Sequence, residues 1–229
     1  MKMKIFILLC MSGILLIQGL KAENIIQQKN DYIADWTKIQ IAYDHFLINP
    51  STTTANTISG LLPLRKLMMG KIDNLEWKKK VETLDYIFNP KKIMQFKKLI
   101  KTGQAEYYQV GFRMLQITDA ANSEYLSDIL GVSICDHPVQ FLQALEANRS
   151  VLENYQIEGI LLMVPDLYAD DVPGQKKELN RRYLAIKKSN FKGEMKTKCL
   201  KILKNEIDIR HEGGDGSRYL KNWGQMPIY

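Results

Sequence analysis

Apolar side chains recur every three to four residues along most of the chain, and strict alternation is scarce. That spacing predicts helices and an all-α fold. Tyr32, Trp36, Ile39, Tyr43, Phe46 and Leu47 make one stripe. Asn89-Pro90 reads as an N-cap followed by proline in the first helical turn. Ile93, Phe96, Leu99 and Ile100 then share a face, and Gly103 ends that helix. Tyr108, Phe112 and Leu115 continue the pattern, as do Leu126, Ile129, Leu130 and Ile134. Asp136 or His137 before Pro138 starts a helix with Phe141, Leu142 and Leu145 inward. Leu152 to Val164 is apolar on nearly all sides and predicts a central helix. Lys176 to Lys188 and Glu194 to Ile209 complete the set, with Leu179, Tyr183, Ile186, Leu200, Leu203 and Ile207 as inner faces.

The first 22 residues follow a different pattern. Met1-Lys2-Met3-Lys4 precedes an apolar run from Ile5 to Leu20, and Lys21-Ala22 follows it. A basic start, an apolar stretch and a small residue predict a signal peptide cleaved after Ala22, and so an exported, periplasmic or secreted protein. The run is short for a spanning helix, which needs about 20 apolar residues. The expected organisation is a signal peptide at 1–22, one helical domain at 23–212, and a Gly-rich exit with a docked or flexible tail at 213–229.

Several helix starts share a shape. Asn49-Pro50, Asn89-Pro90 and Asp136-His137-Pro138 each follow an apolar helix end, with the prolines 40 and 48 residues apart. Tyr107 and Tyr155 each lie 17 residues after Pro90 and Pro138, and Gly111 and Gly159 each lie 21 after. Glycine within a helix costs about 1 kcal/mol against alanine, so its recurrence at one offset suggests close helix–helix approach. Repeats of about 40–47 residues with two or three helices each belong to HEAT and armadillo arrays. On these residues the chain resembles a short HEAT-like array at the level of fold. The resemblance implies a right-handed α-solenoid of stacked helix pairs; the alternative is an irregular helical bundle whose Asn-Pro starts recur by chance.

Charge changes the picture less than its total suggests. The chain carries a formal net charge of +7. Cleavage after Ala22 removes Lys2, Lys4 and Lys21 and no acid, which leaves +4. Most of the cations are lysine, whereas phosphate and base readout favour arginine forks; the balance therefore argues against nucleic-acid binding. Cys135 and Cys199 remain after cleavage. They either form a bridge closing a loop of about 64 residues, worth roughly 4 kcal/mol in the chain-entropy model, or pack as small buried hydrophobes.

The residues give little support to catalysis. HExxH, paired CxxC and GxSxG are missing from the sequence, so the usual zinc and nucleophile-elbow signatures fail. Cys135-Asp136-His137 reads as a buried thiol followed by Asp136 capping the next helix, rather than a nucleophile or metal corner. Gly213-Gly214-Asp215-Gly216 follows a helix and lacks a phosphate loop's lysine. Asn148-Arg149-Ser150 is a glycosylation sequon. Lys91, Lys98 and Lys101 line a polar helix face, opposite Phe96 and Ile100.

The expectation is an exported helical-repeat protein that binds another protein, as an inhibitor or immunity-type partner, with no catalysis, metal or small-molecule cofactor. One alternative is an envelope-polymer hydrolase with paired carboxylates, for which Asp136, Glu158, Asp166 and Asp170 are the candidates. Another is a structural envelope component held to an anionic surface by lysines.

Overall fold

The helices begin and end where local chemistry stops the backbone pattern. In the computed structural model, residues 34–68, 73–164 and 171–211 are described. Asp35 caps α1 (Trp36–Ile48) by accepting from the Lys38 amide. Ser51 and Thr54 form a reciprocal capping box for α2 (Thr52–Leu61), which puts the start two residues beyond Pro50. A single turn, α3 (Arg65–Met68), precedes α4 (Asn74–Ile87), capped by Asp73. Asn89 accepts from the Lys91 amide at the head of α5 (Pro90–Ile100), as the Asn-Pro pair predicts. Gly103 follows at φ 76°. A Cβ there would meet the His137 ring at 2.3 Å, so glycine is required both by conformation and by space.

Next come α6 (Ala105–Met114), α7 (Ala120–Gly131), α8 (Pro138–Ala147), α9 (Asn154–Leu162), α10 (Val172–Lys188) and α11 (Glu194–His211). Among the described residues every regular element is helical and none is a strand. None of these helices is long and apolar enough to cross a membrane. At α8 the N-cap is His137, which makes no side-chain cap bond. Its ring instead packs on Gly103 and lies 3.0 Å from the Lys101 carbonyl oxygen.

Packing brings the helices together in two successions. One runs through α1, α5, α7 and α9, each touching the next; the other runs through α2, α6, α8 and α11. Cross-contacts of α1 with α2, α5 with α6, and α6 with α7 join the two. Aromatic rings fill the space between. Tyr43 and Phe46 of α1 meet Phe96 of α5, and Phe46 meets Tyr107 edge-on at 5.3 Å. Further along, Tyr108 and Phe112 meet Phe141, and Tyr108 donates to Ser133 at 2.7 Å. Buried phenols usually find such partners.

Two arginines donate to the carbonyls at helix ends. Arg65 Nη2 donates to the carbonyls of Leu115 and Thr118 beyond α6. Arg182, fully buried on α10, donates through Nη1 to Ile160, Leu161 and Met163 at the end of α9 and through Nε to Glu178. The last carbonyls of a helix have no intrahelical partner, and a guanidinium can serve several at once.

A third polar contact fastens α1, α4 and α5. Asp44 accepts from the Tyr86 hydroxyl at 2.5 Å and from the Lys92 ammonium. The same ammonium sits 3.8 Å from the centre of the Tyr86 ring. Burial works to raise the Asp44 pKa, but hydrogen bonds from Lys92 and Tyr86 prevail and hold it below 3.8. The clasp therefore adds stability above the ordinary carboxylate range and loses it as pH falls through the depressed pKa. Asp44→Asn is expected to cost about 1–2 kcal/mol at neutral pH, the low end for hydrogen bonds to a charged group because solvent partly screens the pair. Thermal unfolding across pH checks this: wild type and variant should converge in acid, and a pH-independent gap would count against the clasp.

Candidate functional site

Helix α5 and its C-cap residue Lys101 carry five lysines between them, and no acid occurs from Pro90 through Ala105. The fold uses two of the five as flank ties. Lys92 reaches Asp44 of α1, and Lys97 reaches Asp128 of α7 at 3.2 Å. They leave α5 on opposite sides, which fixes its rotation between its two neighbours. Ile93, Phe96 and Ile100 then point inward and are buried. Lys91, Met94, Gln95, Lys98 and Lys101 are left on the outer stripe, at i, i+3, i+4, i+7 and i+10. All five are exposed. Lys91, Lys98 and Lys101 make no ion pair among the described residues.

The flanking helices extend this surface. The outer stripe of α1 holds Lys38, Ile41, His45 and Ile48, all exposed. Ile41 is 64% exposed and Ile48 74%. On α5 Met94 is 48% exposed, and on α7 Tyr125 is 40% exposed. Isolated exposed apolar side chains need no explanation. Here four large ones sit on three helices packed in sequence, with lysines between them. At 8–10 Å between axes, the ledge is about 16–20 Å across. Sequence reading found the lysines and missed Ile41, Ile48 and Tyr125. The available signal was phase: Ile41 and Ile48 fall seven residues apart on the side of α1 opposite Ile39, Tyr43 and Phe46.

Other polar features belong to the interior or its edges. An open cleft of about 430 Å³ at the α1–α4 edge is lined by residues including Trp36, Gln40, Glu76, Lys79 and Thr83. Its polar groups bond one another: the Trp36 indole donates to Glu76 at 2.8 Å and Gln40 to Thr83 at 3.0 Å. Among the described residues no three His, Cys, Asp or Glu side chains come together to hold a metal ion.

Of the acids weighed for catalysis, Asp136 is exposed ahead of α8 and Glu158 is half-buried within α9. Asp166 and Asp170 lie outside the described residues, as do the signal segment and the 213–229 tail. The bridge considered for Cys135 and Cys199 is not formed; both thiols are free. Cys199 is buried inside α11 and burial pushes its thiol up to about 12. Cys135 follows α7, where burial and the nearby Glu178 raise its pKa against the opposing effect of Arg181. The sequon asparagine is also occupied: Asn148 is buried and donates to the Ala144 carbonyl at 2.8 Å.

The residues aligned by the repeat have different surroundings. Pro90 is exposed and Pro138 half-exposed. Tyr107 is buried against Phe46, whereas Tyr155 is half-buried. Gly111 and Gly159 are both buried. A Cβ at Gly111 would meet Leu130 of α7 at 2.5 Å. The alignment pairs α5 with α8, yet α5 packs between α1 and α7 while α8 packs on α6 and α11. An offset of three helices moves a helix from one succession to the other.

Comparison with family models, curated proteins and solved structures finds no match to this chain.

Proposed function

We propose that this is an exported helical-repeat protein that binds another protein through the outer ledge of α1, α5 and α7. The observation that carries the reading is the run of Ile41, Ile48, Met94 and Tyr125 across three neighbouring helices. Apolar side chains of this size concentrate where a partner will cover them. The two successions of helices support a short HEAT-like solenoid with pairs such as α1–α2 and α5–α6. Stacked pairs create an extended surface from one helix of each pair. The amino-terminal pattern supports export with cleavage after Ala22. An inhibitor or immunity-type role is one form that such binding takes.

The test is affinity capture from the native envelope with the mature chain and with Ile41→Asp/Ile48→Asp, followed by mass spectrometry. A protein retained by the wild type and reduced at least about tenfold by the double variant is expected, since interface anchors typically carry 2 kcal/mol or more. Recovery of only polymer fragments that shorten with time would overturn the reading in favour of hydrolysis.

A further inference from the structure

The ledge has a sign as well as an apolar character. We infer that its partner presents an acidic, apolar segment to the α5 lysines, with Lys91, Lys98 and Lys101 meeting carboxylates and Ile41, Ile48, Met94 and Tyr125 meeting apolar side chains. The inference rests on the protein-binding reading and adds the chemistry of the partner.

Three observations support it. First, the structure separates the α5 lysines by use. Lys92 and Lys97 are consumed as ties to Asp44 and Asp128, while Lys91, Lys98 and Lys101 pair with no carboxylate among the described residues and are exposed. Second, the sequence supplies no local acid to neutralise them between Pro90 and Ala105. Third, the lysines are spaced for a structured partner. Lys91 and Lys98 are two helical turns apart, about 10.5 Å at 1.5 Å per residue. Met94 lies between them. A partner carrying carboxylates about two turns apart on a helix would match that interval.

Charge and apolar character together favour a protein over a lipid surface. A helix that lies on a membrane presents one broad apolar stripe with cations along its borders. On α5 the outer stripe has the reverse order: cations occupy the middle, with Met94 as the one large apolar side chain. The remaining apolar groups stand on separate helices to either side. Long-range attraction between such a ledge and an acidic partner accelerates encounter and falls with ionic strength.

The probes are two labelled amphipathic helical peptides of about 15 residues with the same leucine face, one with glutamates on its polar face and one with lysines. A set of vesicles with and without anionic phospholipid accompanies them. Fluorescence anisotropy with the mature chain at low salt should give at least about tenfold tighter binding of the glutamate peptide. That preference should shrink as salt is raised toward physiological ionic strength. Lys91→Glu/Lys98→Glu/Lys101→Glu should abolish or reverse it. The milder Lys→Gln triple variant should weaken it without reversal, and the melting temperature of each variant reports that the fold is kept. Equal affinity for both peptides, or a preference indifferent to both triple variants, overturns the inference. So does binding to anionic vesicles, lost in the triple variants, without any peptide preference. If envelope capture still depends on Ile41 and Ile48 while the peptides show no preference, the acidic partner is wrong and the protein-binding reading stands. If capture recovers no ledge-dependent protein, the reading beneath it has failed.

Discussion

Arg182→Leu is expected to lower the melting temperature by about 6–20 °C. The substitution removes the donors that serve Ile160, Leu161 and Met163 at the end of α9. It also leaves the buried Glu178 carboxylate facing the exposed Arg181, at 3.2 Å, without the buried guanidinium. Removing one partner of a buried charged pair typically costs about 3–5 kcal/mol. For a domain of this length each kilocalorie is worth about 2–4 °C. The sign of the companion effect is informative. Burial alone opposes the charge on Arg182, pulling its pKa below the usual guanidinium value, and the neighbouring Glu178 works against that. A matched Arg182→Leu/Glu178→Leu variant removes both desolvated charges and should recover part of the loss, because an apolar pair escapes the desolvation penalty. Circular dichroism melts of the three proteins check this. A single variant within about 2 °C of wild type would show that the guanidinium contributes little to stability.

Gly131→Ala should destabilise the protein by about 1–3 kcal/mol, the usual range for overpacking. Helix propensity alone points the other way and favours alanine by about 1 kcal/mol. The structure decides between them. A Cβ on Gly131 would lie 2.6 Å from the Ile160 carbonyl oxygen and 2.8 Å from Arg182 Nη1. The first is backbone, so α9 itself must move; the second is the guanidinium that closes α9. Gly60, in α2, has nothing within 4 Å of the same added atom. Gly60→Ala should therefore show the propensity gain without the clash. Opposite shifts in melting temperature for these two substitutions are the expected result, and shifts of the same sign would contradict the packing at Gly131.

The contrast explains why some of this molecule was legible in sequence and some was not. Periodicity located the inward residues because burial of an apolar face is a local, repeating decision. Ile39, Tyr43 and Phe46, Ile93 and Phe96, and Phe141, Leu142 and Leu145 are all buried. The Asn89-Pro90 start and the Gly103 stop were legible for the same reason: caps and positive φ are settled within a few residues. Arg182 was not. It lies between Leu179 and Ile186 on an amphipathic helix, and its burial depends on carbonyls some twenty positions earlier. The same applies to His137, whose place is set by Gly103 and Lys101 rather than by the helix it precedes. The cap expected from its neighbour Asp136 is not made; His137 takes the N-cap position without a side-chain cap bond. The ledge was half legible. Lysines on a polar face announce themselves, but the outward isoleucines of α1 matter only because α5 and α7 stand beside them, and spacing along one helix does not specify its neighbours.

The C-terminal hairpin has an implication for synthesis. Glu146 on α8 accepts from the Met195 amide at 3.1 Å, at the head of α11, and Arg182 closes α9 from α10. During translation the α8 carboxylate and the α9 carbonyl end emerge well before the groups that satisfy them. The α9 carbonyls stay hydrated until Arg182 has left the ribosome, and the Glu146 carboxylate until Met195 has. The last two helices thus complete the hydrogen bonding of α8 and α9, and a chain that stops short of them leaves those groups to water.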